Sequence, residues 1–230
     1  MSPVVRLLAV LVSLVTLVSG CSGSDEPKAD PTDTLAAAKK TLDETPGLRI
    51  GLSTGKLPAG VNGLLTADGI ATHAPAFLGD IKVAASGITA DAAVVAVDGV
   101  VHAKLPFTST FQVIDPADYG APDPADLMAT EGGLSDLLVN TDNLKAGDTV
   151  RGGANNEEVL TEYTGTVPAT FVKTVIPSAS GDDFDATYTI SADGELREAK
   201  LTGDFYPDAG ENTYTLNFTD YGTEKDITAP

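Results

Sequence analysis

Apolar side chains occupy every second position in a series of short stretches, and this alternation limits the possible folds more than any other feature. In residues 47–53, Leu48, Ile50 and Leu52 share one face, with polar or small residues between them. A period of two is typical of a half-buried β-strand. Similar alternation occurs in residues 77–85, 88–97, 100–105, 158–167, 184–190, 195–205 and 213–219. The turn sequence Asp98-Gly99 joins two of these stretches, so antiparallel neighbours are expected.

A different pattern near the start predicts a helix over residues 30–47. Alanine and leucine repeat there at helical spacing, with Thr32 or Asp33 as the expected N-cap and Pro46-Gly47 as the stop.

Two further regions also predict helices. Residues 123–148 suggest two short helices on either side of Gly132-Gly133, and residues 168–177 begin with a proline suited to a first helical turn. The predicted order is one helix, about five strands, two helices, one strand, one helix and three strands. Consecutive strands without crossover helices predict an α+β domain with a single large curved antiparallel sheet and helices on one face.

The predicted inner face of this sheet is built from small side chains. The chain has no tryptophan and only 6% aromatic residues. Among a few branched residues, the inward positions of residues 77–105 carry Ala85, Gly87, Ala90, Ala92, Ala96 and Ala103. An alanine surface leaves volume unfilled unless helices approach it closely. The pattern leaves two outcomes open: helices packed tightly on a flat surface, or helices that stand off and enclose an apolar cavity suited to acyl chains.

The only cysteine, Cys21, lies where an apolar run meets a polar segment. Residues 7–18 follow Arg6 and match the apolar core of a signal peptide; they are short for a spanning helix, which needs about 20 apolar residues and is the weaker alternative. Residues 18–21 (VSGC) resemble a bacterial lipobox. In such sequences the cysteine sulfur receives a diacylglyceryl group, the signal is cut before it, and the new amino terminus receives an acyl chain such as palmitate. The predicted divisions are a signal peptide over 1–20, a lipidated flexible tether over 21–32 and a lipid-binding domain over 33–230.

The charge balance excludes several partners. The chain has 14 lysines and arginines against 33 acidic residues, a formal net charge of −19. Such a charge repels nucleic-acid phosphates and anionic lipid headgroups, so residence on a membrane is expected to depend on the anchor at Cys21.

Reactive groups are few. Residues 51–55 (GLSTG) match the nucleophile-elbow pattern of hydrolases, but a loop follows them where that elbow needs a helix. The two histidines, His73 and His102, are expected on strands or turns, and without a thiolate nearby they do not make a zinc site. Residues 181–185 (GDDFD) lack the ligand spacing of a calcium loop. We therefore expect no catalytic residue, no metal and no cofactor.

Three segments carry a family resemblance. Residues 79–107, 114–140 and 195–222 resemble the actinobacterial LppX/LprA/LprF/LprG lipoprotein family, and the strand–VDG–strand hairpin at residues 97–99 is part of that likeness. The resemblance implies a half-barrel sheet, similar to that of the LolA/LolB carriers, with helices on its concave face enclosing an apolar cavity. It also implies binding of acylated lipids or glycolipids, in some members beside a major-facilitator exporter, and no catalytic residues.

By position, the resemblance places the lipid-binding wall on three predicted strands, two of which are joined by the Asp98-Gly99 turn, with helix side chains opposite. The residues are Ile81, Val83, Ala92, Val94, Val101, Leu134, Leu137 and Leu138. The expected function is an envelope lipoprotein on the extracytoplasmic face of the cell membrane that shields acyl chains during transfer toward the outer envelope. A non-enzymatic surface scaffold or adhesion lipoprotein with a filled core is the alternative, and an esterase using Ser53 is the least favoured.

Overall fold

The computed structural model describes residues 30–55, 57, 58, 60–85 and 87–230. The predicted signal peptide, the lipidation site at Cys21 and the tether as far as residue 29 lie outside these residues, so they remain predictions.

Among these described residues, eleven strands form a single open antiparallel sheet, the architecture that the alternation predicts. The strands are β1 (Gly47–Thr54), β2 (Gly63–Thr72), β3 (Ala76–Ala85), β4 (Ile88–Val97), β5 (Val100–Lys104), β6 (Gln112–Ile114), β7 (Asp142–Gly152), β8 (Glu158–Pro168), β9 (Asp183–Ser191), β10 (Leu196–Gly203) and β11 (Asn212–Thr219). Their order across the sheet is β6-β5-β4-β3-β2-β1-β11-β10-β9-β8-β7.

This order divides the sheet into two meanders that meet in the middle. Strands β1 to β6 step outward to one edge, and β7 to β11 step back from the other edge until β11 pairs with β1. The chain must therefore cross from the β6 edge to the β7 edge. It crosses through 3-10 helices at Pro116–Tyr119 and Pro124–Met128 and then through helix α2 (Leu134–Val139).

One face of the sheet carries the main hydrophobic core, and we call it the core face. Paired residues of neighbouring strands share a face, so the register defines a continuous inward row across most of the sheet. The row contains Ala92, Ile81, Ala67, Leu52, Leu216, Ala199, Tyr188 and Tyr163. A parallel row contains Val94, Gly79, Gly69, Ile50 and Phe218.

Helices cover part of the core face. Helix α1 (Pro31–Glu44) begins after Asp30, whose carboxylate accepts a hydrogen bond from the Thr32 backbone N–H at 2.8 Å. Its buried side chains Leu35, Ala38 and Leu42 belong to the same core cluster as the strands, and so do those of α2 and of α3 (Ala169–Val175). The 3-10 helix Pro124–Met128 lies against β2, β3 and β4.

Two glycines allow an aromatic ring to lie flat on the core face. Gly69 and Gly79 are direct partners on β2 and β3, and the Phe77 ring occupies the space where their side chains would stand. Phe77 is itself buried. The small residues in this row therefore accommodate an aromatic ring.

The structure corrects several local predictions. The N-cap of α1 is Asp30, and neither Thr32 nor Asp33 takes that role. The second helix predicted within residues 123–148 ends at Val139, and Leu144 lies on β7. Strand β7 was missed because it is an exposed edge with two register shifts, which destroy any regular apolar alternation.

The sequence pattern also failed to predict strands β2 and β6. Strand β2 is rich in Gly, Ala and Thr, so few large side chains mark its inward positions. Strand β6 has only three residues. A strand that short carries no periodic signal.

We predict that Gly79→Ala lowers the free energy of unfolding by about 2 kcal/mol. The added Cβ would come within 3.0 Å of the Asp68 carbonyl oxygen, the Gly69 Cα and the Phe77 ring, and two of these atoms are backbone. Gly51→Ala is the matched control, since its Cβ would meet its nearest atoms at 3.9 Å. Urea unfolding of both variants measures the difference; equal stabilities would contradict the close packing described for Gly79.

Candidate functional site

The eight residues predicted to bind lipid all belong to the core side of the molecule. The strand residues share the core face, because Ile81 pairs with Ala92 and the others follow at even spacing or through paired neighbours. The α2 residues Leu134, Leu137 and Leu138 are buried in the same cluster. Their role in binding lipid stays a prediction.

Burial differs within this set. Val94 and Val101 are buried beside the helical layer, whereas Ile81 and Val83 are only half-buried. The helical layer therefore does not cover the whole core face.

The less covered part forms a patch that we call the apolar strip. It lies toward the end of the sheet where β3 turns into β4. Its members are half-buried, uncharged and on the core face: Leu52, Leu64, Ala67, Ile81, Val83 and Ala90. Leu52 and Ile81 also contact the main core, so the strip continues the core outward to solvent. Apolar surface of this kind favours an apolar occupant.

A polar clamp holds α2 against α1. The Lys39 ammonium lies 3.0 Å from an Asp43 oxygen and 3.1 Å from an Asp136 oxygen. It also donates to the Thr130 carbonyl at 2.6 Å and contacts the Ser135 hydroxyl at 3.0 Å. The second oxygen of Asp136 accepts a hydrogen bond from the Gly132 backbone N–H at 2.6 Å. The clamp thus fixes the loop that positions Leu134, Leu137 and Leu138 over the sheet.

The electrostatics of the clamp favour its charged form. Burial alone would lower the pKa of Lys39, but hydrogen bonds and attraction from Asp43 and Asp136 raise it overall. Burial alone would raise the pKa of Asp136, but the Gly132 N–H and Lys39 lower it overall. Only the helical spacing of Lys39 and Asp43 indicates part of this network from the sequence, because Asp136 lies far along the chain.

Aromatic residues close the neighbouring part of the core face. The buried Phe205 ring contacts the rings of Phe184 and Tyr214 at centroid distances of 4.8 and 4.9 Å. The Tyr214 hydroxyl donates to the Leu64 carbonyl at 3.0 Å and contacts the Tyr206 hydroxyl at 2.7 Å. Burial, reinforced by Tyr206, raises the pKa of Tyr214, which keeps it a neutral donor. The loop carrying Phe205 and Tyr206 is thereby fixed beside the apolar strip.

The hydrolase pattern does not form an elbow. Ser53 lies within β1, paired with Thr66 and Thr215, and a strand–turn–helix junction is absent at that described position. His73 lies in the turn after β2, where its Nε2 is 3.0 Å from the Leu42 carbonyl oxygen. Within the described ranges, no cluster of three or more His, Cys, Asp or Glu side chains could hold a metal ion. No helix among the described residues is long and apolar enough to span a bilayer.

Two clefts lie away from the apolar strip. One of about 340 Å³ is bordered by His73, Met128 and Glu131 near the β2–β3 turn. The other, of about 590 Å³, separates the β4–β5 turn from the C-terminal segment around Ile227. Neither cleft is lined by any of the eight predicted residues.

Known structures share this fold. LprF from Mycobacterium bovis superimposes with a TM-score of 0.69 at 15% identity, covering 87% of this chain and 96% of that one. LppX from Mycobacterium tuberculosis superimposes with a TM-score of 0.60 at 18% identity, covering 86% and 98%. At these identities the similarity concerns the fold alone.

The chain belongs to the LppX_LprAFG lipoprotein family, whose model matches residues 30–229. Among its relatives are the proteins named lipoarabinomannan carrier protein LprG in Mycobacterium tuberculosis and Mycobacterium bovis. Each is 27% identical over 244 residues, covering 98% of this chain and 94% of the relative. The family resemblance expected from the sequence is therefore confirmed.

We predict that Asp136→Asn lowers the free energy of unfolding by about 1 kcal/mol at pH 7. The lowered pKa of Asp136 means that its contribution is complete above its ordinary pKa of 3.8 and is lost as the pH falls through the folded-state value. The deficit of the variant should therefore shrink when urea unfolding is repeated near pH 3.

Glu44→Gln provides the control for this prediction, because the Lys40–Glu44 pair is largely exposed and should contribute almost nothing. A deficit in Asp136→Asn that is the same at both pH values would show that the carboxylate charge is not what holds the clamp.

Proposed function

We propose that this chain is an envelope lipoprotein, anchored through Cys21 on the extracytoplasmic face of the cell membrane, that binds the acyl chains of lipids or glycolipids. It assists their transfer from the plasma membrane toward the outer envelope. Membership of the lipoprotein family supports the anchor, and the relatives named as lipoarabinomannan carriers support a glycolipid ligand. A membrane exporter of the major-facilitator class is the partner we infer for delivery of that lipid.

The observation that carries the proposal is the apolar strip. Its half-buried residues continue directly into the buried core between the sheet and α2. An acyl chain that first contacts Val83 and Ile81 therefore meets the main core next, where Ala92 is the partner of Ile81 and Val94 follows on the same face. A filled surface scaffold would have no need to leave this end of its core face uncovered.

Binding requires the helical layer to give way. Val94, Val101 and the α2 leucines are buried in one core cluster, so we infer that this is the closed arrangement of the binding domain. Moving α2 outward and turning the Phe77 ring away from Gly69 and Gly79 would open a groove floored by small residues on a half-barrel sheet. The clamp at Lys39 is the polar contact that such an opening must break or carry along.

The energetics suit capture and release. Each buried methylene contributes about 0.8 kcal/mol, so a dozen give about 10 kcal/mol before the cost of opening is subtracted. Parting the helical layer exposes apolar surface of the protein itself and offsets part of that gain. A carrier of this design holds its ligand firmly enough to shield it from water, yet it favours release when the closed form is restored.

We predict that Val83→Asp weakens binding of a fluorescent fatty acid at least about tenfold, because a carboxylate in the apolar strip must be desolvated by the acyl chain. Leu78→Asp is the matched control. Leu78 lies on the same strand, faces away from the core and is 37% exposed, so its substitution should leave binding unchanged. Fluorescence titration of the purified protein measures both dissociation constants, and thermal unfolding verifies that both variants fold.

Three outcomes would contradict the proposal. Wild-type protein that ignores fatty-acid probes supports the filled scaffold. Equal weakening by the two aspartates shows that the strip is not the binding surface. Hydrolysis of an ester probe that Ser53→Ala abolishes would revive the enzymatic alternative.

A further inference from the structure

Large apolar side chains are exposed at one end of the sheet. Phe107 is fully exposed, Ile88 is 69% exposed and Leu105 is 36% exposed. Ile88 begins β4 at the β3–β4 hairpin, and Leu105 follows directly after β5, which runs antiparallel to β4. All three therefore lie at the end of the sheet toward which the apolar strip opens. We call this group of three residues the apolar rim.

The backbone of Phe107 has an unfavourable conformation for an exposed aromatic residue. Residues 105–108 form a turn in which the Thr108 backbone N–H donates to the Leu105 carbonyl at 3.1 Å. Phe107 has a φ of 67°, in the left-handed region that favours glycine and is costly for a bulky residue. The chain keeps a strained aromatic residue here although the ring contacts no core. Strain at an exposed position is a reason to look for an external contact.

The charge around the rim is unusual for this chain. Residues 81–90 and 99–114 contain no aspartate or glutamate, and neither do residues 51–67, although the whole chain has 33 acidic residues. The other half of the same end of the sheet is acidic, because exposed carboxylates lie at the start of β9 and between β10 and β11. These are Asp182, Asp183, Asp204, Asp208 and Glu211. The segments that carry the rim thus lack acidic residues up to Asp91, whose carboxylate lies 2.8 Å from the Lys82 ammonium.

We propose that the apolar rim docks on the surface of a phospholipid bilayer, with the Phe107 and Ile88 side chains at the boundary between headgroups and acyl chains. The strip residues Val83 and Ala90 flank the β3–β4 hairpin that carries Ile88. Docking by the rim therefore turns the open end of the apolar strip toward the lipid, so that an acyl chain can pass between bilayer and protein without crossing water.

A bilayer fits these observations better than a protein partner does. The rim segments contribute no acidic residue with which a protein could form ion pairs, and a net charge of −19 opposes electrostatic attachment to anionic headgroups. The rim would therefore attach by inserting apolar side chains into the bilayer, and aromatic residues are suited to the bilayer interface. If Cys21 is lipidated, α1 begins ten residues later, and such a tether spans at most about 36 Å. The rim is thus held within reach of the membrane.

The absence of tryptophan from the chain gives a clean test. Phe107→Trp places a single fluorescent reporter on the rim, and Val159→Trp places one at the start of β8, at the opposite end of the sheet, where Val159 is 44% exposed. Each full-length lipidated protein is reconstituted into phosphatidylcholine vesicles with and without brominated acyl chains. We expect a blue-shifted emission and strong bromolipid quenching for Phe107→Trp, and neither for Val159→Trp.

The other results of this experiment overturn the proposal. Unquenched emission from Phe107→Trp shows that the rim stays in water. Equal quenching at both sites shows that the anchor alone holds the domain near lipid in no fixed orientation. A blue shift of Phe107→Trp that appears without vesicles and grows with protein concentration shows that the rim pairs with a second copy of the chain.

A second measurement separates docking from lipid binding, so that failure of one does not conceal failure of the other. In the double variant Phe107→Ser, Ile88→Ser we expect pick-up of a fluorescent lipid from vesicles to slow by about tenfold. Binding of a fatty acid dispersed in water should be unchanged. Unchanged pick-up from vesicles contradicts docking, and a loss of both activities shows that the rim belongs to the binding site itself.

Discussion

The close approach of a helical layer to a sheet face of small side chains is the contact on which the rest of the structure depends. Gly69 and Gly79 let the Phe77 ring lie along the sheet, and the 3-10 helix Pro124–Met128 lies against the same strands. This packing closes the core near α2 and supplies the burial that a domain without disulfides needs. Under the proposed opening, an acyl chain would meet these same small residues.

The helical layer covers only part of the core face, and the uncovered part is the proposed binding surface. The crossing from β6 to β7 brings the 3-10 helix Pro124–Met128 over one end of β2, β3 and β4 and leaves the other end as the apolar strip. The helical layer is tied down chiefly by apolar contacts and by the Lys39 clamp, whose partners lie on two different helical segments. Such a layer can move as a unit without unravelling the sheet.

Much of the architecture could be predicted from the alternation of residues such as Leu48, Ile50 and Leu52, because burial on one face leaves a period of two in the sequence. The face assignment of the predicted site residues also followed, since Ile81, Ala92 and Val101 share the core face. The edge strand β7 could not be predicted, because its exposure and bulges remove that period. The ion pair of Asp136 with Lys39 and the exposure of Phe107 could not be predicted either, because both are defined only in the folded chain.

On the proposed function, the closed core of this lipoprotein opens to hold an acyl chain. Native mass spectrometry of the protein purified from cells tests this opening most directly. We expect a species heavier than the unliganded protein by the mass of one lipid, which is lost on gentle activation because no covalent bond holds it. A single unliganded mass that persists after incubation with glycolipid extracts would contradict it.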